Sequence, residues 1–348
     1  MKNQAKGGSI STLLLSVIDV GDTQPPLAFN PTILLTSQSP LGSTQTTGLL
    51  LCDSDVLFRR IKLPNQPTID VFKAGPLIVV LEATKLYIST SYSNIFNQIN
   101  ITLTSASSLT VNGEQIIVSD SGNLIAIDIN TLSVEQTIFA GNDFNFMTHV
   151  NGRLFLAAKD SNVIAYSDDW GSNLSLSSLS GSVTGAIKNV KPSKYNFTRS
   201  YAWNGSAHFS VNSNQANVTY TQYTNFPSTS TDFVDFLELS NGDLIAVVGN
   251  KGIYKNTNPT SASSTWTLVQ PTTGQMVQIC ELSDRLVVNG DDGIYTNLDK
   301  TAINWTFTPI SEISATYGSL TCDDATYLTD ENTGDLLYDE KTLEFITA

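Results

Sequence analysis

The chain has 348 residues, of which 41% are hydrophobic and only 14% are charged, so it can bury a substantial core while small uncharged side chains supply much of its polarity. Its formal net charge is −14, and because an acidic surface repels phosphate groups we expect no nucleic-acid partner. Three widely separated cysteines and two histidines give little support for a structural zinc site or a disulfide framework, so we expect buried free thiols.

The first 45 residues are predicted to be an arm that lies outside the folded body. The breaks at Gln24–Leu27 and at Asn30-Pro31 are typical of an extended chain. The apolar run Leu13–Ile18 is short for a signal-peptide core, and no stretch reaches the length of a membrane span. We therefore expect synthesis in a cytoplasm without secretion.

Residues 46–66 contain two strand-like segments, Gly48–Ser54 and Leu57–Leu63. Two interpretations remain open for them. In the first, they close the folded body as extra outer strands or form an eighth unit with Thr32–Thr36. In the second, the stretch Gly7–Pro40 is an arm that lies outside the folded body.

From residue 67 onward the chain repeats a unit of about 40 residues, which is the period of a four-stranded propeller blade. The recurring element is an apolar pair, then an aromatic residue, then a small polar residue. Weaker copies occur at Ile127 and Phe209. The clear copies centre on Tyr87, Tyr166, Tyr254, Tyr295 and Tyr338.

The unit around Tyr254 shows its strands most clearly. Four apolar or β-branched segments follow one another, with Asn241-Gly242-Asp243 as the first turn signal. No segment of this region keeps helical spacing of apolar residues over ten positions. The segments are Phe233–Leu239, Leu244–Val248, Ile253–Lys255 and Thr265–Val269.

We therefore predict an all-β chain whose residues 46–348 form a β-propeller, with seven four-stranded blades favoured and eight as the alternative. The last unit is expected to carry four strands of its own. The blades are expected near 67–104, 105–141, 142–181, 182–224, 225–271, 272–311 and 312–348.

The segment Tyr166–Leu174 resembles an Asp-box, whose pattern is Ser-x-Asp-x-Gly-x-Thr-Trp. Asp169 and Gly171 take the Asp and Gly of the box if one position is shifted, and Leu174 stands where Trp is usual. The resemblance is to the sialidase-like superfamily of Asp-box (BNR-type) propellers. It implies that the box is structural: its Asp caps a hairpin and its Trp packs between blades.

Other units keep the frame of this motif, in the forms Tyr254…Trp266 and Tyr295…Trp305. The resemblance covers about five blades and supports the fold. The structural repeat positions are accordingly Tyr87, Tyr166, Asp169, Tyr254, Trp266, Tyr295, Trp305 and Tyr338.

Catalysis of the sialidase type is not expected, because it needs three convergent arginines, a tyrosine nucleophile and carboxylates. Arg153 and Arg285 open equivalent second strands, which marks them as repeat positions. We predict no catalytic residue, no cofactor and no metal site, with a divergent glycosidase as a remote alternative. Calcium is a further alternative at the acidic turns Asp291-Asp292 and Asp323-Asp324.

The unit 182–224 departs most from the repeat and is rich in aromatic residues beside Asn and Gln. Such residues suit a protein-binding or sugar-binding surface if they are exposed, and an irregular core if they are not. The candidate binding residues are Tyr195, Tyr201, Trp203, Tyr220 and Tyr223.

The function predicted from these observations is a non-enzymatic structural or assembly protein, located in a virus particle such as a phage tail and docked through its N-terminal arm. The expected partners are other structural proteins of a larger assembly, in one or several copies. The alternative is a carbohydrate-binding or receptor-binding propeller that contacts a host glycan or receptor.

Overall fold

The computed structural model describes residues 33–37, 49–54, 57–61, 68–90, 96–139, 141–150, 152–158, 161–162, 164–168, 185–215, 218–228, 232–272, 274–290, 293–301, 303–309 and 317–322. These residues form β-strands, turns and loops, and among them there is no helix long and apolar enough to cross a membrane.

The strands are numbered in chain order, and each pairs antiparallel with its neighbours in the sheet. The first three are β1 (Ile33–Ser37), β2 (Leu49–Ser54) and β3 (Leu57–Ile61). Blade 1 contains β4 (Thr68–Ala74), β5 (Leu77–Glu82), β6 (Leu86–Ser89) and β7 (Asn97–Gln98). Blade 2 contains β8 (Ala106–Val111), β9 (Gln115–Asp120), β10 (Asn123–Asp128) and β11 (Val134–Phe139). A three-stranded sheet follows, made of β12 (Phe144–Val150), β13 (Arg153–Ala158) and β14 (Ile164–Ser167).

Three further blades complete the series. Blade 3 contains β15 (Asn189–Pro192), β16 (Ser200–Trp203), β17 (Ala207–Ser210) and β18 (Thr221–Gln222). Blade 4 contains β19 (Val234–Glu238), β20 (Leu244–Val248), β21 (Gly252–Asn256) and β22 (Thr267–Gln270). Blade 5 contains β23 (Met276–Glu281), β24 (Leu286–Gly290), β25 (Gly293–Asn297) and β26 (Thr306–Pro309). The last strand, β27 (Tyr317–Cys322), pairs with β1 and gives the closing blade the order β27-β1-β2-β3.

The all-β propeller is confirmed, but the prediction of seven or eight four-stranded blades is wrong. The described residues form six four-stranded blades and one three-stranded sheet. Within the predicted last blade, 312–348, the described residues are those of β27, which joins a blade shared with the N-terminal strands. Hydrogen bonds between β27 and β1 close the ring and leave no open sheet edge where its two ends meet.

The predicted N-terminal arm needs a related correction. Residues 33–37, inside the proposed arm 1–45, form β1 and lie between β27 and β2. The alternative interpretation, in which this segment combines with those at 48–54 and 57–63, describes the closing blade better. The remainder of the predicted arm lies outside the described residues.

The hydrophobic core lies between blades and not inside any one of them. Blade 4 shows this: Leu244, Ala246 and Val248 pack with blade 3, whereas Ile245 and Val247 pack with blade 5. Because side chains alternate along a strand, a second strand that is covered on both sheet faces must be apolar at every position. This explains the short continuous apolar runs that mark the second strands in the sequence.

Side chains on the innermost strands also join neighbouring sheets directly. Asp70 on β4 accepts a hydrogen bond from the backbone N of Leu109 on β8, at 3.0 Å. Asp235 on β19 accepts one from the backbone N of Ile279 on β23, also at 3.0 Å. In the opposite sense, Asn189 Nδ2 donates to the carbonyl of Val234, at 3.1 Å. These bridges fix the position of each innermost strand relative to the next.

Cys280 on β23 is disulfide-bonded, so the expectation of free thiols is wrong for this residue. The chain contains only two other cysteines, Cys52 and Cys322. Both belong to strands of the closing blade, β2 and β27.

Removal of the Asp235 carboxylate should destabilise the propeller, because this carboxylate is fully buried and has three partners. It accepts hydrogen bonds from the backbone N of Ile279 and from Asn189 Nδ2, the latter at 2.7 Å, and it lies 3.4 Å from Lys191 Nζ. We expect Asp235→Ala to lower the free energy of unfolding by about 2–4 kcal/mol, since it leaves buried donors without partners. Urea denaturation of the two proteins measures this difference.

Asp284→Ala is the matched control, because Asp284 is an exposed aspartate that pairs with the adjacent Arg285. Its cost should stay below about 1 kcal/mol. Equal losses for the two substitutions would contradict a special role for the bridge between innermost strands.

Candidate functional site

One face of the ring carries the turns between first and second strands and between third and fourth strands of each blade; we call it the upper face. In blades 1 to 5 and in the three-stranded sheet the chain enters by the innermost strand, so these strands run in the same direction and end at this face. Glu238 ends β19 and Glu281 ends β23, and each is followed by Leu-Ser. The two carboxylates therefore occupy equivalent positions in neighbouring blades.

Glu281 joins three parts of the upper face. Its Oε2 atom accepts the Tyr195 hydroxyl and the Lys194 ammonium, both at 2.8 Å, and its Oε1 atom accepts Lys300 Nζ at 3.2 Å. Lys194 and Tyr195 belong to the β15–β16 loop of blade 3, and blade 4 stands between this blade and Glu281. The loop therefore reaches past blade 4 to blade 5.

Glu238 binds the other end of the same loop, where the loop leads into β16. Its Oε1 atom accepts Arg199 at 2.6 Å and its Oε2 atom accepts the Tyr201 hydroxyl at 2.7 Å. Only 2% of the Glu238 side chain and 4% of the Glu281 side chain are exposed, so both carboxylates lie beneath the groups that bind them. Two buried carboxylates in successive blades thus fix both ends of the β15–β16 loop.

The protonation states of Glu281 and Tyr195 favour the hydrogen bonds between them. Burial opposes ionisation of Glu281, but hydrogen bonds from Lys194, Tyr195 and Lys300 outweigh it and hold the pKa of this carboxyl below its ordinary value of 4.5. Burial and then the Glu281 bond raise the pKa of Tyr195, so its phenol stays a donor. The stabilisation is present above pH 4.5 and is lost only as the pH falls through the lowered pKa.

Apolar side chains project from the two loops that meet at Glu281. The β15–β16 loop exposes 45% of Tyr195 and 60% of Phe197. The β25–β26 loop, which Lys300 anchors to the same carboxylate, exposes 62% of Leu298 and 63% of Ile303. We call residues 193–199 and 298–303 the docking loops.

Of the five aromatic residues predicted to form a binding surface, Tyr195 alone is exposed. Tyr201, Trp203 and Tyr223 lie in the core between blades 3 and 4, and Tyr220 lies in the core between the three-stranded sheet and blade 3. The expectation of exposure is wrong for these four. Tyr201 and Trp203 belong to the second strand of blade 3, which neighbouring sheets cover on both faces.

The structural repeat residues lie where the repeat places them. Tyr87, Tyr166, Tyr254 and Tyr295 are each on the third strand of their sheet, namely β6, β14, β21 and β25. Asp169 and Tyr338 lie outside the described residues.

The two tryptophans of the repeat, Trp266 and Trp305, pack between blades. Trp266 makes edge contacts with Tyr223 and Phe226, which precede blade 4, at ring-centroid distances of 5.3 and 4.8 Å. Trp305 packs on the core between blades 4 and 5.

Asparagines close the hairpins between third and fourth strands in blades 4 and 5. Asn256 accepts the backbone N of Asn258 at 2.8 Å and donates to Ser264 at 2.7 Å, and Asn297 donates to the carbonyl of Asn304 at 2.8 Å. An amide can both donate and accept, so it holds the two sides of a hairpin together. In these two blades an asparagine side chain therefore closes the hairpin between the third and fourth strands.

Sequence reasoning missed Glu238, Glu281, Lys194, Lys300 and Phe197. The repeated Glu-Leu-Ser at 238–240 and 281–283 is the signal that could have indicated the two carboxylates. Within the described part of the chain, no group of three or more His, Cys, Asp or Glu residues is arranged to hold a metal ion. The acidic pairs 291–292 and 323–324 lie outside it.

The fold defines the chain as a β-propeller whose described polar network lies on the upper face. No family model matches it, and no curated protein matches it in sequence. Several solved structures share its fold at about a tenth sequence identity, which is a likeness of fold alone.

Three of these structures illustrate the range of proteins that share the fold. A candidate 6-phosphogluconolactonase from Bacteroides uniformis has a TM-score of 0.63 and 11% identity, over 84% of this chain and 99% of that one. YCF48 from Cyanidioschyzon merolae has a TM-score of 0.58 and 10% identity, over 79% and 92%. Virginiamycin B lyase from Staphylococcus aureus has a TM-score of 0.56 and 11% identity, over 70% and 84%.

Loss of the Glu281 carboxylate should release the β15–β16 loop. We expect Glu281→Ala to raise the rate of tryptic cleavage after Lys194 about tenfold under native conditions, because the loop then opens locally without unfolding the blade. Mass spectrometry of the early fragments measures the rate at this bond. The nearby Lys191 is followed by Pro192 and resists trypsin, so it does not confuse the result.

Asp284→Ala again serves as the control, because Asp284 lies near Glu281 without a described bond to the loop. It should leave cleavage after Lys194 unchanged. An unchanged rate in Glu281→Ala would show that Glu281 does not hold the loop.

Proposed function

We propose that this chain is a non-enzymatic binding propeller that docks a protein partner through the two docking loops of its upper face. The observation that carries the proposal is the exposure of Tyr195, Phe197, Leu298 and Ile303 on loops that one buried carboxylate, Glu281, joins. Large apolar side chains projecting together from a fixed surface are typical of interface centres.

A protein partner is favoured because the loops are already ordered before binding. Within the β15–β16 loop, Ser193 Oγ accepts the backbone N of Asn196 at 3.0 Å, and Asn196 Oδ1 accepts the Thr198 hydroxyl at 2.7 Å. A loop held in one conformation loses little further entropy when it binds. An exposed Lys194 beside the apolar residues supplies a polar rim.

A binding role is favoured over catalysis because both prominent carboxylates of the upper face are engaged. A general acid or base needs an oxygen that can reach the reacting atom. Glu238 is bound by Arg199 and Tyr201, and Glu281 by two lysines and a tyrosine. Donors therefore occupy the oxygens that a glycosidase would use.

The predicted place in a virus particle and the Asp-box relationship remain parts of this proposal that rest on the sequence. Docking through the N-terminal arm 1–45 stays a prediction for the part of the arm that lies outside the described residues, whereas residues 33–37 belong to the closing blade. The carbohydrate-binding alternative becomes an outcome of the test.

Site-specific photocrosslinking tests the proposal in the cells or particles that contain the protein. Benzoylphenylalanine at position 197 or 298 is expected to give a covalent adduct with one defined polypeptide. Once that polypeptide is identified, Phe197→Asp should weaken its binding at least tenfold, because a charge replaces an apolar contact at the centre of the interface.

Position 134 provides the control, because Val134 is also exposed but lies on β11, the outermost strand of blade 2. It should give no adduct with that polypeptide, and Val134→Asp should leave the affinity unchanged. Adducts of equal yield from all three positions, or binding to glycans only, would contradict a protein-docking upper face.

A further inference from the structure

A cluster of buried polar atoms without hydrogen-bond partners lies in blade 1. It comprises both carboxyl oxygens of Glu82, the hydroxyl of Thr68 and the hydroxyl of Tyr87. These residues are 0%, 0% and 3% exposed and come from three adjacent strands, β5, β4 and β6. Apart from the neighbouring Tyr87 hydroxyl and Lys85, no described donor favours the ionised Glu82 carboxyl, so its burial favours the protonated form.

Strand alternation shows which neighbour covers this cluster. Leu77, Val79 and Leu81 on β5 pack in the core shared with blade 2. Glu82 is therefore on the opposite face of the sheet, and Thr68 pairs with it directly across β4. That face is turned toward the closing blade, whose strands β27 and β1 both contact β4. Glu82 thus lies at the contact between blade 1 and the closing blade, which we call the seam.

Few charged groups are placed to pair with an ionised Glu82. Within blade 1, Lys85 follows β5 and favours the ionised form, but burial outweighs it. The Asp70 carboxylate already accepts the backbone N of Val71 and of Leu109. Lys73 is a buried residue near the far end of β4 from Thr68.

The two closing-blade strands in contact with β4 contain no Asp, Glu, Lys, Arg or His. β1 reads Ile-Leu-Leu-Thr-Ser, and β27 reads Tyr-Gly-Ser-Leu-Thr-Cys, with Tyr317 and Cys322 as its titratable groups. The charged residues of that blade, Asp53, Arg59 and Arg60, belong to β2 and β3, further from the axis.

We propose that Glu82 makes the seam sensitive to pH: one proton on its carboxyl keeps blade 1 packed against the closing blade, and release of that proton to solvent loosens the contact. Blade 5 contacts the other side of the closing blade, where β23 and β24 lie against β27. We therefore expect a change of pH to affect the contact of the closing blade with blade 1, and not its contact with blade 5.

The direction of the pH effect follows from the protonation equilibrium. Burial raises the pKa of Glu82 from 4.5 to about 7. The positive charge of Lys85 and the neighbouring Tyr87 hydroxyl both act to lower this pKa, but burial has the larger effect. The stabilisation by the protonated form is complete below pH 4.5 and declines up to about pH 7, where the folded protein also loses the proton. Above that pH an ionised carboxylate is buried in the folded seam.

Asp120 offers a natural contrast at the same position of the next blade. It ends β9, as Glu82 ends β5, and pairs with the first residue of the innermost strand. Its carboxylate accepts the backbone N of Thr104 at 3.0 Å and of Ser105 at 2.6 Å. The Asp120 carboxyl thus has the backbone donors that the Glu82 carboxyl lacks.

The experiment compares wild type, Glu82→Gln and Asp120→Asn by urea denaturation between pH 4 and pH 9. Glu82→Gln should match wild type near pH 4, become relatively more stable as the pH rises to about 7, and keep a roughly hundredfold advantage in the folding constant above it. Asp120→Asn should instead be less stable than wild type at pH 7, because its amide cannot accept the same backbone bonds.

Hydrogen exchange at pH 6 and pH 8, corrected for intrinsic rates, locates the effect. Amides of β4 and β5 should lose protection at pH 8 in wild type but not in Glu82→Gln. The infrared band of a protonated carboxylic acid should be present in wild type at pH 6 and absent at pH 9, which tests the proposal even if Glu82→Gln fails to fold.

A wild-type band that is already absent at pH 6 would overturn the proposal. So would a stability difference between wild type and Glu82→Gln that does not change with pH, as expected if Arg59 or Arg60 paired with the carboxylate.

Discussion

Every blade of this propeller depends on its neighbours for burial. A four-stranded antiparallel sheet of this size has two faces and no interior, so its apolar side chains leave water only when another sheet covers each face. The second strands carry this constraint most fully, since Leu244–Val248 is buried throughout and is divided between two cores. The bridges from Asp70, Asn189 and Asp235 add directional bonds to this non-directional packing.

The candidate site is a consequence of the same arrangement. Because the innermost strands end together at the upper face, Glu238 and Glu281 reach the positions from which they bind one loop of blade 3. A loop anchored at two points in two other blades can present Phe197 in a fixed place. Because the loop is fixed to the ring, the surface that a partner would contact is as rigid as the ring itself.

Much of the fold could be predicted from the sequence because its signals are local. Apolar runs mark second strands, a tyrosine marks third strands, and the Asn241-Gly242-Asp243 signal becomes a turn in which Gly242 has a φ of +86°. The closure could not be predicted in this way, since the pairing of β27 with β1 joins the two ends of the ring and leaves no local pattern.

The site was harder to predict than the fold for a similar reason. Tyr195 and Glu281 are 86 positions apart, and nothing near either residue indicates the other. The aromatic residues of blade 3 misled the sequence reasoning because Tyr and Trp occur both in cores and at surfaces. Only the position of β16 between two covered faces decides that Tyr201 and Trp203 belong to a core.

The shared closing blade also has a consequence for synthesis on the ribosome. Strands β1 to β3 emerge first, yet the innermost place in their sheet stays empty until Tyr317–Cys322 has been translated. Until then β1 has an unpaired edge, and the nascent ring resembles an open arc that chaperones could bind or that a second nascent chain could enter. Completion of the ring therefore waits until β27 is available, and exchange of β27 between two chains is the misassembly to which this architecture is most exposed.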